Sequence, residues 1–285
     1  MKKLLKFFIF ITLILATLVY VAGSYLTYPH QRSVGTLPPD VQEAKAIQFP
    51  SKSNAMLSGW FLSSPQQKGA ILLLHGVKSN RLQMLNRANF LQKAGYSVLL
   101  IDFQAHGESQ GEQITFGHLE SLDAESAYDY LRQESNSSNI AVIGVSLGGA
   151  SALLGNIKDR AKVMILESVY PSIKEAIEDR FKLYFGEFGR YLSPLLTMQL
   201  KPRLDIELED LRPIDQLKKL KGAVMIIAGS KDQHTTLAES KRMFAKAHEP
   251  KELWVIEGAK HVDFDTLLGE AYQKRILLFL EKWMK

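Results

Sequence analysis

The chain has 285 residues, of which 46% are hydrophobic and 23% are charged, a balance typical of a globular protein. Its net charge is +5, but Lys2, Lys3 and Lys6 contribute three of these charges, and the remaining +2 argues against a nucleic-acid partner. Because the sequence contains no cysteine, it cannot form disulfides, thiolate metal sites or lipid attachments through cysteine.

The basic N-terminus is followed by an uncharged, apolar segment from residue 7 to residue 29. A helix of about 20 residues crosses the hydrocarbon core of a bilayer, so residues 1–28 are long enough to form a transmembrane anchor. The alternative is a cleaved signal peptide, with residues 21–23 or 22–24 as the small-residue cleavage site. In both cases the basic flank stays on the cytoplasmic side, and the remainder of the chain is expected on the extracytoplasmic side.

Residues 29–44 are predicted to form a linker, in which Pro38 and Pro39 favour an extended conformation. The remaining residues, 45–285, are predicted to form one domain that begins with two short antiparallel strands at 46–49 and 57–62. Further apolar runs suit strands covered on both faces, and they lie at 69–74, 97–103, 140–145, 163–166, 223–228 and 253–256. Predicted helices alternate with them at 81–93, 118–132, 146–154, 237–247 and 267–284. This alternation predicts an α/β fold with a doubly wound, mostly parallel sheet.

The alternation is interrupted at residues 171–212, where the pattern is helical and rich in large apolar side chains. This stretch, which we call the lid segment, is longer than a plain crossover helix needs. We interpret it as a small helical lid over the carboxyl edge of the sheet, inserted before the strand at 223–228. The alternative is an elongated crossover whose aromatic side chains pack into the core.

The run Gly144-Val145-Ser146-Leu147-Gly148 places a serine in a G-x-S-x-G frame between a predicted strand and a predicted helix. On such a turn the serine oxygen projects above the edge of the sheet, and the glycines let the strand and the helix approach closely. A serine hydroxyl becomes a good nucleophile only when a neighbouring base accepts its proton. Ser146 is therefore the predicted nucleophile, and it requires a histidine and an acid elsewhere in the chain.

Asp232 follows the predicted strand at 223–228, and His261 follows the strand at 253–256. One helix and one strand fit between these two residues, so both side chains should reach the carboxyl edge of the sheet. We predict that His261 is the base and that Asp232 orients it. Glu167, which follows the strand at 163–166, is the alternative acid.

The other histidines are expected to have surface or structural positions: His30, His75, His106, His118, His234 and His248. A negatively charged tetrahedral intermediate needs two hydrogen-bond donors. We predict that the backbone N–H groups of Val77 and Leu147 supply them, because Val77 lies in the loop after the strand at 69–74 and Leu147 follows the nucleophile. His75 is expected to brace the loop that contains Val77, and Asp102 to fix the loop after its own strand.

Five motifs in order resemble the motif set of the α/β-hydrolase superfamily. They are Leu72-Leu-Leu-His75-Gly76, Asp102-Phe-Gln-Ala-His106-Gly107-Glu-Ser109, Gly144-Val-Ser146-Leu-Gly148-Gly149, Gly229-Ser-Lys-Asp232 and His261. Within the superfamily the chain is similar to bacterial membrane-anchored hydrolases of the BEM46-like, dienelactone-hydrolase-like and serine-aminopeptidase-like branches, over roughly residues 45–285. The sequence departs from the usual pattern at Gln104-Ala105 and at His234.

The resemblance implies a serine hydrolase that cleaves a small-molecule acyl ester through an acyl-enzyme, without a metal or an organic cofactor. One alternative is an exopeptidase or amidase with the same triad, in which Glu175, Glu178 or Glu187 would hold the amino terminus of a peptide. The other is a non-enzymatic binding protein that uses the hydrolase fold at the membrane. The oligomeric state is not predicted by the sequence.

Overall fold

The computed structural model describes residues 1–36 and 44–284, so the predicted linker prolines Pro38 and Pro39 lie outside the described residues. Eight strands form the central sheet: β1 (Ala44–Pro50), β2 (Met56–Leu62), β3 (Ala70–Leu74), β4 (Ser97–Ile101), β5 (Ile140–Val145), β6 (Val163–Glu167), β7 (Ala223–Gly229) and β8 (Lys251–Ile256). Their spatial order is β8-β7-β6-β5-β3-β4-β2-β1. Pairing is antiparallel between β1 and β2 and between β2 and β4, and parallel elsewhere.

The helices are α1 (Lys2–Thr27), α2 (Leu85–Lys93), α3 (His118–Glu134), α4 (Leu147–Leu154), α5 (Ile173–Phe185), α6 (Pro194–Thr197), α7 (Leu200–Leu204), α8 (Leu237–Lys246), α9 (Phe264–Leu268) and α10 (Glu270–Trp283). Neighbouring positions of β3 face opposite sides of the sheet, as the period of two requires. Leu72 and Leu74 join one hydrophobic core, whereas Ile71 and Leu73 join the other. The predicted doubly wound, mostly parallel sheet is therefore confirmed.

Two predicted helices differ from the observed ones. The stretch predicted as one helix at 81–93 begins with a 3₁₀ turn, Arg81–Met84, and continues as α2. The Asn80 side chain accepts a hydrogen bond from the Leu82 backbone N–H, and this tight turn leaves Leu82 exposed while Met84 is buried. The predicted helix is therefore α-helical only from Leu85 onward.

The predicted helix at 267–284 starts earlier and is broken. Its residues belong to α9 and α10, which are separated by Gly269. The φ angle of Gly269 is +53°, a value that residues with a β-carbon rarely adopt, so the chain changes direction there.

α1 is the one helix among the described residues that is long and apolar enough to cross a membrane. Its most apolar 18-residue window has a mean hydropathy of 2.5, and none of that window is buried. The last turns of α1 differ, because Gly23 and Thr27 are buried against the domain. The residues after α1 are also attached to the domain, because the short strand His30–Gln31 pairs in parallel with His106–Gly107.

The lid segment joins β6 to β7 and consists of α5, α6 and α7 together with 3₁₀ turns. Ile173 and Leu200 are buried in the core below it. Its large side chains are exposed for the most part, and the exposed ones are Leu183, Tyr184, Phe185, Phe188, Tyr191, Leu195 and Met198. The alternative in which the aromatic side chains of this segment pack into the core therefore does not hold for Tyr184, Phe185, Phe188 and Tyr191.

Candidate active site

Ser146 lies at the sharp turn between β5 and α4, with φ 49° and ψ −110°. This backbone conformation is unfavourable for a residue with a β-carbon, and such strain costs about 1–3 kcal/mol. The Ser146 N–H donates to the Glu167 carbonyl at 2.8 Å, which fixes the turn to the end of β6. A β-carbon on Gly144 would lie 2.5 Å from the Gly149 nitrogen, and one on Gly148 would lie 2.2 Å from the Leu74 carbonyl oxygen. Glycines are therefore required at both positions of the motif.

His261 and Asp232 meet beyond the ends of β7 and β8. The His261 Nδ1 lies 2.8 Å from the Asp232 Oδ2. Because an ionised carboxylate only accepts hydrogen bonds, Nδ1 carries the ring proton and Nε2 retains the lone pair that a general base needs.

The environment of Asp232 favours its ionised form. Burial raises its pKa, but the hydrogen bond and the charge of His261 and the backbone N–H groups of Thr235 and His234 outweigh burial and bring the pKa below its usual value. The two N–H groups donate to Oδ1 at 3.0 and 2.8 Å. Asp232 is therefore fully engaged in orienting the ring of His261 and the loop that follows β7.

An apolar cavity of about 220 Å³ lies in front of Ser146. Val77 and Leu147 line it together with Ser146, so the three residues predicted for the nucleophile and the oxyanion donors share one cavity. Leu147 is the first residue of α4, and the first N–H groups of a helix have no intrahelical partner. Asp232 and His261 are not among the residues that line this cavity.

Glu167, the alternative acid, forms hydrogen bonds with Arg87 and Tyr272. Its carboxylate accepts hydrogen bonds from the fully buried Arg87, at 2.7 Å from Nη2 and 3.2 Å from Nε. It also accepts a hydrogen bond from the Tyr272 hydroxyl. Arg87 in turn binds Asp263 at 2.7 Å, two residues after His261. This network of Arg87, Glu167, Tyr272 and Asp263 connects the end of β6 to the loop that contains His261.

Substituting Arg87 by methionine should destabilise the protein by about 3–5 kcal/mol, because the Glu167 charge would be left buried without its partner. In a chain of this size that loss lowers Tm by on the order of 10 °C. Thermal unfolding of the detergent-solubilised protein measures the shift. The matched control is Arg275→Met, since Arg275 pairs with Glu252 at the surface and should shift the stability by less than about 1 kcal/mol. Equal shifts for the two variants would contradict the role given to the network.

The buried histidines near the site have structural contacts. The His75 Nε2 accepts a hydrogen bond from the Phe103 N–H at 3.1 Å, so its Nδ1 carries the proton and donates to the Gly76 carbonyl at 2.7 Å. His75 therefore braces the loop that contains Val77. Asp102 accepts hydrogen bonds from the backbone N–H groups of Arg81 and Glu108, which fixes the loops on both sides of it.

Several contacts of the site were not predicted by the sequence analysis. Arg180, in the lid segment, lines the cavity, and its guanidinium contacts the His234 carbonyl at 3.5 Å beside Asp232. The sequence does contain a pattern that indicates a buried Arg87. Arg87 lies three residues after Met84 and four before Leu91, and this helical spacing places its cation on the buried face of α2. The end of α1 also lines the cavity, through Gly23, Leu26 and Thr27.

Comparison with known proteins gives the family. The model of the family "Serine aminopeptidase, S33" matches residues 65–208, a range that includes Val77, Ser146 and Leu147 and ends before Asp232 and His261. The chain is 24% identical to the Bacillus subtilis protein YqkD over 84% of this chain and 80% of that protein. It is 28% identical to the α/β-hydrolase domain-containing protein WAV2 of Arabidopsis thaliana over 83% of this chain and 78% of WAV2.

Solved structures agree with the fold. The Pyrococcus furiosus esterase Pf2001 superimposes with a TM-score of 0.74 at 27% identity, covering 90% of this chain and all of that one. The Exiguobacterium antarcticum esterase, at 17% identity, shares the fold with a TM-score of 0.61 over 83% of this chain and all of that one. The strand order, the turn at Ser146 and a family match over half of the chain lead to one conclusion: the chain belongs to the serine aminopeptidase S33 family of the α/β-hydrolase superfamily.

Proposed function

We propose that this α/β-hydrolase is a membrane-anchored serine hydrolase that cleaves an acyl ester with the triad Ser146, His261 and Asp232. The observation that carries the proposal is the strained serine turn at the mouth of an apolar cavity, combined with a histidine oriented by an ionised aspartate. The similarity to the Pyrococcus furiosus esterase supports the ester as the substrate class.

In the first half of the reaction the Ser146 Oγ attacks the carbonyl carbon and its proton passes to the His261 Nε2. The backbone N–H groups of Val77 and Leu147 hold the resulting oxyanion. The C–O bond of the ester then breaks, and His261 returns the proton to the oxygen of the leaving alcohol. A water molecule cleaves the acyl-enzyme by the same steps, which releases the carboxylic acid and restores Ser146.

The charges around the cavity favour an ester over a peptide with a free amino terminus. Among the described residues, no carboxylate lines the cavity, whereas Lys78, Arg180 and Arg203 do. The three glutamates considered as amine anchors are paired with cations elsewhere: Glu175 with Arg242, Glu178 with Lys174 and Arg190, and Glu187 with Lys182. The exopeptidase remains the second candidate because the matching family model bears that name.

The contacts of α1 with the domain support an uncleaved membrane anchor rather than a cleaved signal peptide. Cleavage after Gly23 or Ser24 would remove a buried residue and separate Gly23 from Leu26 and Thr27, which line the same cavity. We therefore propose a single-pass protein that retains α1. With the basic residues Lys2, Lys3 and Lys6 on the cytoplasmic side, the hydrolase domain lies on the extracytoplasmic side.

A panel of p-nitrophenyl esters from acetate to palmitate tests the ester assignment, with an aminoacyl p-nitroanilide measured beside it. Each methylene that enters an apolar cavity contributes about 0.8 kcal/mol, so kcat/KM should rise by about fourfold per methylene until the cavity is filled. The anilide should be the poorest substrate. Anilide turnover faster than that of every ester would assign the protein to the peptidases, and a flat profile across the esters would contradict an acyl-chain cavity.

A further inference from the structure

The cavity in front of Ser146 has one wall from the lid segment and another from the transmembrane helix. Gly23, Leu26 and Thr27 of α1 line it. The facing wall is formed by side chains of α5, α6 and α7: Ile173, Ala176, Ile177, Leu196, Leu200 and Leu204. A helix that served only to attach the domain to a membrane would not need to contribute to the interior of its active-site cavity.

Polar contacts hold α1 against the lid segment. Gln199 Nε2 donates to the Val19 carbonyl at 3.0 Å, and Arg203 donates to the Tyr20 carbonyl at 3.0 Å and to the Ser24 hydroxyl at 2.9 Å. A β-carbon at position 23 would lie 2.4 Å from the Gln199 Oε1, so a larger residue there would have to displace the Gln199 side chain. These contacts fix the position of the helix relative to the cavity.

The C-terminal end of α1 also contacts the loops of the domain that contain Lys78 and Ile114. The Thr27 carbonyl accepts a hydrogen bond from the Ile114 N–H at 2.8 Å. Lys78, the neighbour of Val77, donates to the Tyr25 carbonyl at 3.1 Å and lies over the Tyr25 ring. A cation at the C-terminal end of a helix is also favoured by the helix dipole. The last two turns of α1 are therefore part of the domain.

The position of these contacts along α1 indicates that the lid segment lies at the membrane. Val19 and Tyr20 belong to the uncharged stretch of α1, and Val19 lies eight residues before Thr27, or about 12 Å along the helix axis. The part of the lid segment that binds them must therefore reach into the interfacial region of the bilayer. The neighbouring 3₁₀ turn Glu187–Leu192, which packs against α6 and through it lies near α1, carries the exposed aromatic residues Phe188, 68% exposed, and Tyr191, 79% exposed. Exposed aromatic side chains of this kind are favoured at the interface between membrane and water.

We infer that the cavity is the acyl-chain site for an ester lipid dissolved in the bilayer, with the end of α1 as one wall and the aromatic surface of the lid segment resting in the membrane interface. The inference rests on the proposed function, because it assigns the substrate class of the same Ser146 site. Its chemistry is the hydrolysis already described: water cleaves the acyl C–O bond and releases a long-chain carboxylic acid and an alcohol.

The claim that α1 forms one wall of the cavity is tested by comparing Leu26→Trp with Leu18→Trp. Both variants are measured in the full-length protein reconstituted in phosphatidylcholine vesicles. Leu26 lines the cavity, whereas Leu18 does not line it and is 59% exposed. Leu26→Trp should lower kcat/KM by about tenfold or more for p-nitrophenyl octanoate in water and for p-nitrophenyl palmitate dissolved in the vesicles, because the bulky side chain excludes methylenes. Acetate hydrolysis should change by less than about twofold, and Leu18→Trp should leave all three rates unchanged.

The claim that the substrate enters from the bilayer is tested with the double variant Phe188→Ser, Tyr191→Ser. It should lower the rate on vesicle-dissolved palmitate by about tenfold and leave the rate on octanoate in water unchanged, since only the first substrate enters from the membrane interface. An unchanged palmitate rate would overturn the bilayer as source. Equal effects of Leu26→Trp and Leu18→Trp, or an equal loss on acetate and palmitate, would overturn α1 as a wall of the site. If the wild type hydrolyses no ester at all, the proposed function fails together with the inference, which distinguishes that outcome from the others.

Discussion

Replacing Ser146 by alanine should lower the kcat of ester hydrolysis by a factor on the order of 10⁶, the size of effect seen when the nucleophile of a serine hydrolase is removed. The physical reason is that no covalent acyl-enzyme can form, although the oxyanion donors and the cavity persist. Purified full-length protein assayed with the preferred p-nitrophenyl ester measures the loss. KM should change little, since the serine oxygen contributes mainly to the transition state.

Ser151→Ala is the matched control for this variant. Ser151 is also a buried serine of the same helix region, and its hydroxyl donates to the Leu147 carbonyl at 2.8 Å, away from any reacting atom. It should retain activity within a few-fold of the wild type. A Ser146→Ala protein that keeps more than about one-hundredth of the wild-type rate would exclude Ser146 as the nucleophile, because background catalysis by the remaining groups is far smaller.

Asp232→Asn should lower kcat by about 10⁴-fold while the protein remains folded. The asparagine amide can donate a hydrogen bond to the His261 Nδ1, and the ring proton would then reside on Nε2, the atom that must accept the proton of Ser146. The carboxylate also stabilises the positive charge that His261 acquires during the reaction. Steady-state kinetics measure the loss, and circular dichroism checks the fold.

Glu167→Gln distinguishes the two acids considered for the triad. Because Glu167 is held by Arg87 and Tyr272, its substitution should reduce stability and leave kcat within about tenfold of the wild type. A loss of kcat on Glu167→Gln as large as that on Asp232→Asn, in a folded protein, would contradict the assignment of Asp232 as the orienting acid.

The parts of the structure that the sequence predicted well are those with local signals. Strands β3 to β8 were predicted because each contains a continuous apolar run, and both faces of β3 and β5 are buried. Asp232 and His261 were expected to meet because they follow neighbouring strands, and their side chains are hydrogen-bonded. The first turn of the helix predicted at 81–93 was not foreseen, because its 3₁₀ geometry depends on hydrogen bonds to Asn80 and Asp102.

Contacts between distant parts of the chain were missed. Arg87 meets Glu167 80 residues later and Tyr272 185 residues later, and no local pattern encodes these partners. The contribution of α1 to the cavity was missed for a related reason. The sequence of an apolar helix does not distinguish a face that contacts lipid from one that contacts protein. Gly23, Ser24 and Thr27 near its end are small, but so are Thr12, Ala16, Thr17 and Ala22, so small residues alone do not mark the face that lines the cavity.

Reaction of the full-length protein with a fluorophosphonate tests directly whether Ser146 is an activated nucleophile. The adduct is located by mass spectrometry of the intact chain and of its peptides. A fluorophosphonate forms a stable adduct only with a serine whose hydroxyl is activated by a neighbouring base. We expect one adduct per chain, located on Ser146 and lost in Ser146→Ala. A folded wild-type protein that forms no adduct, or forms it at a different residue, would contradict the assignment of Ser146 as an activated nucleophile.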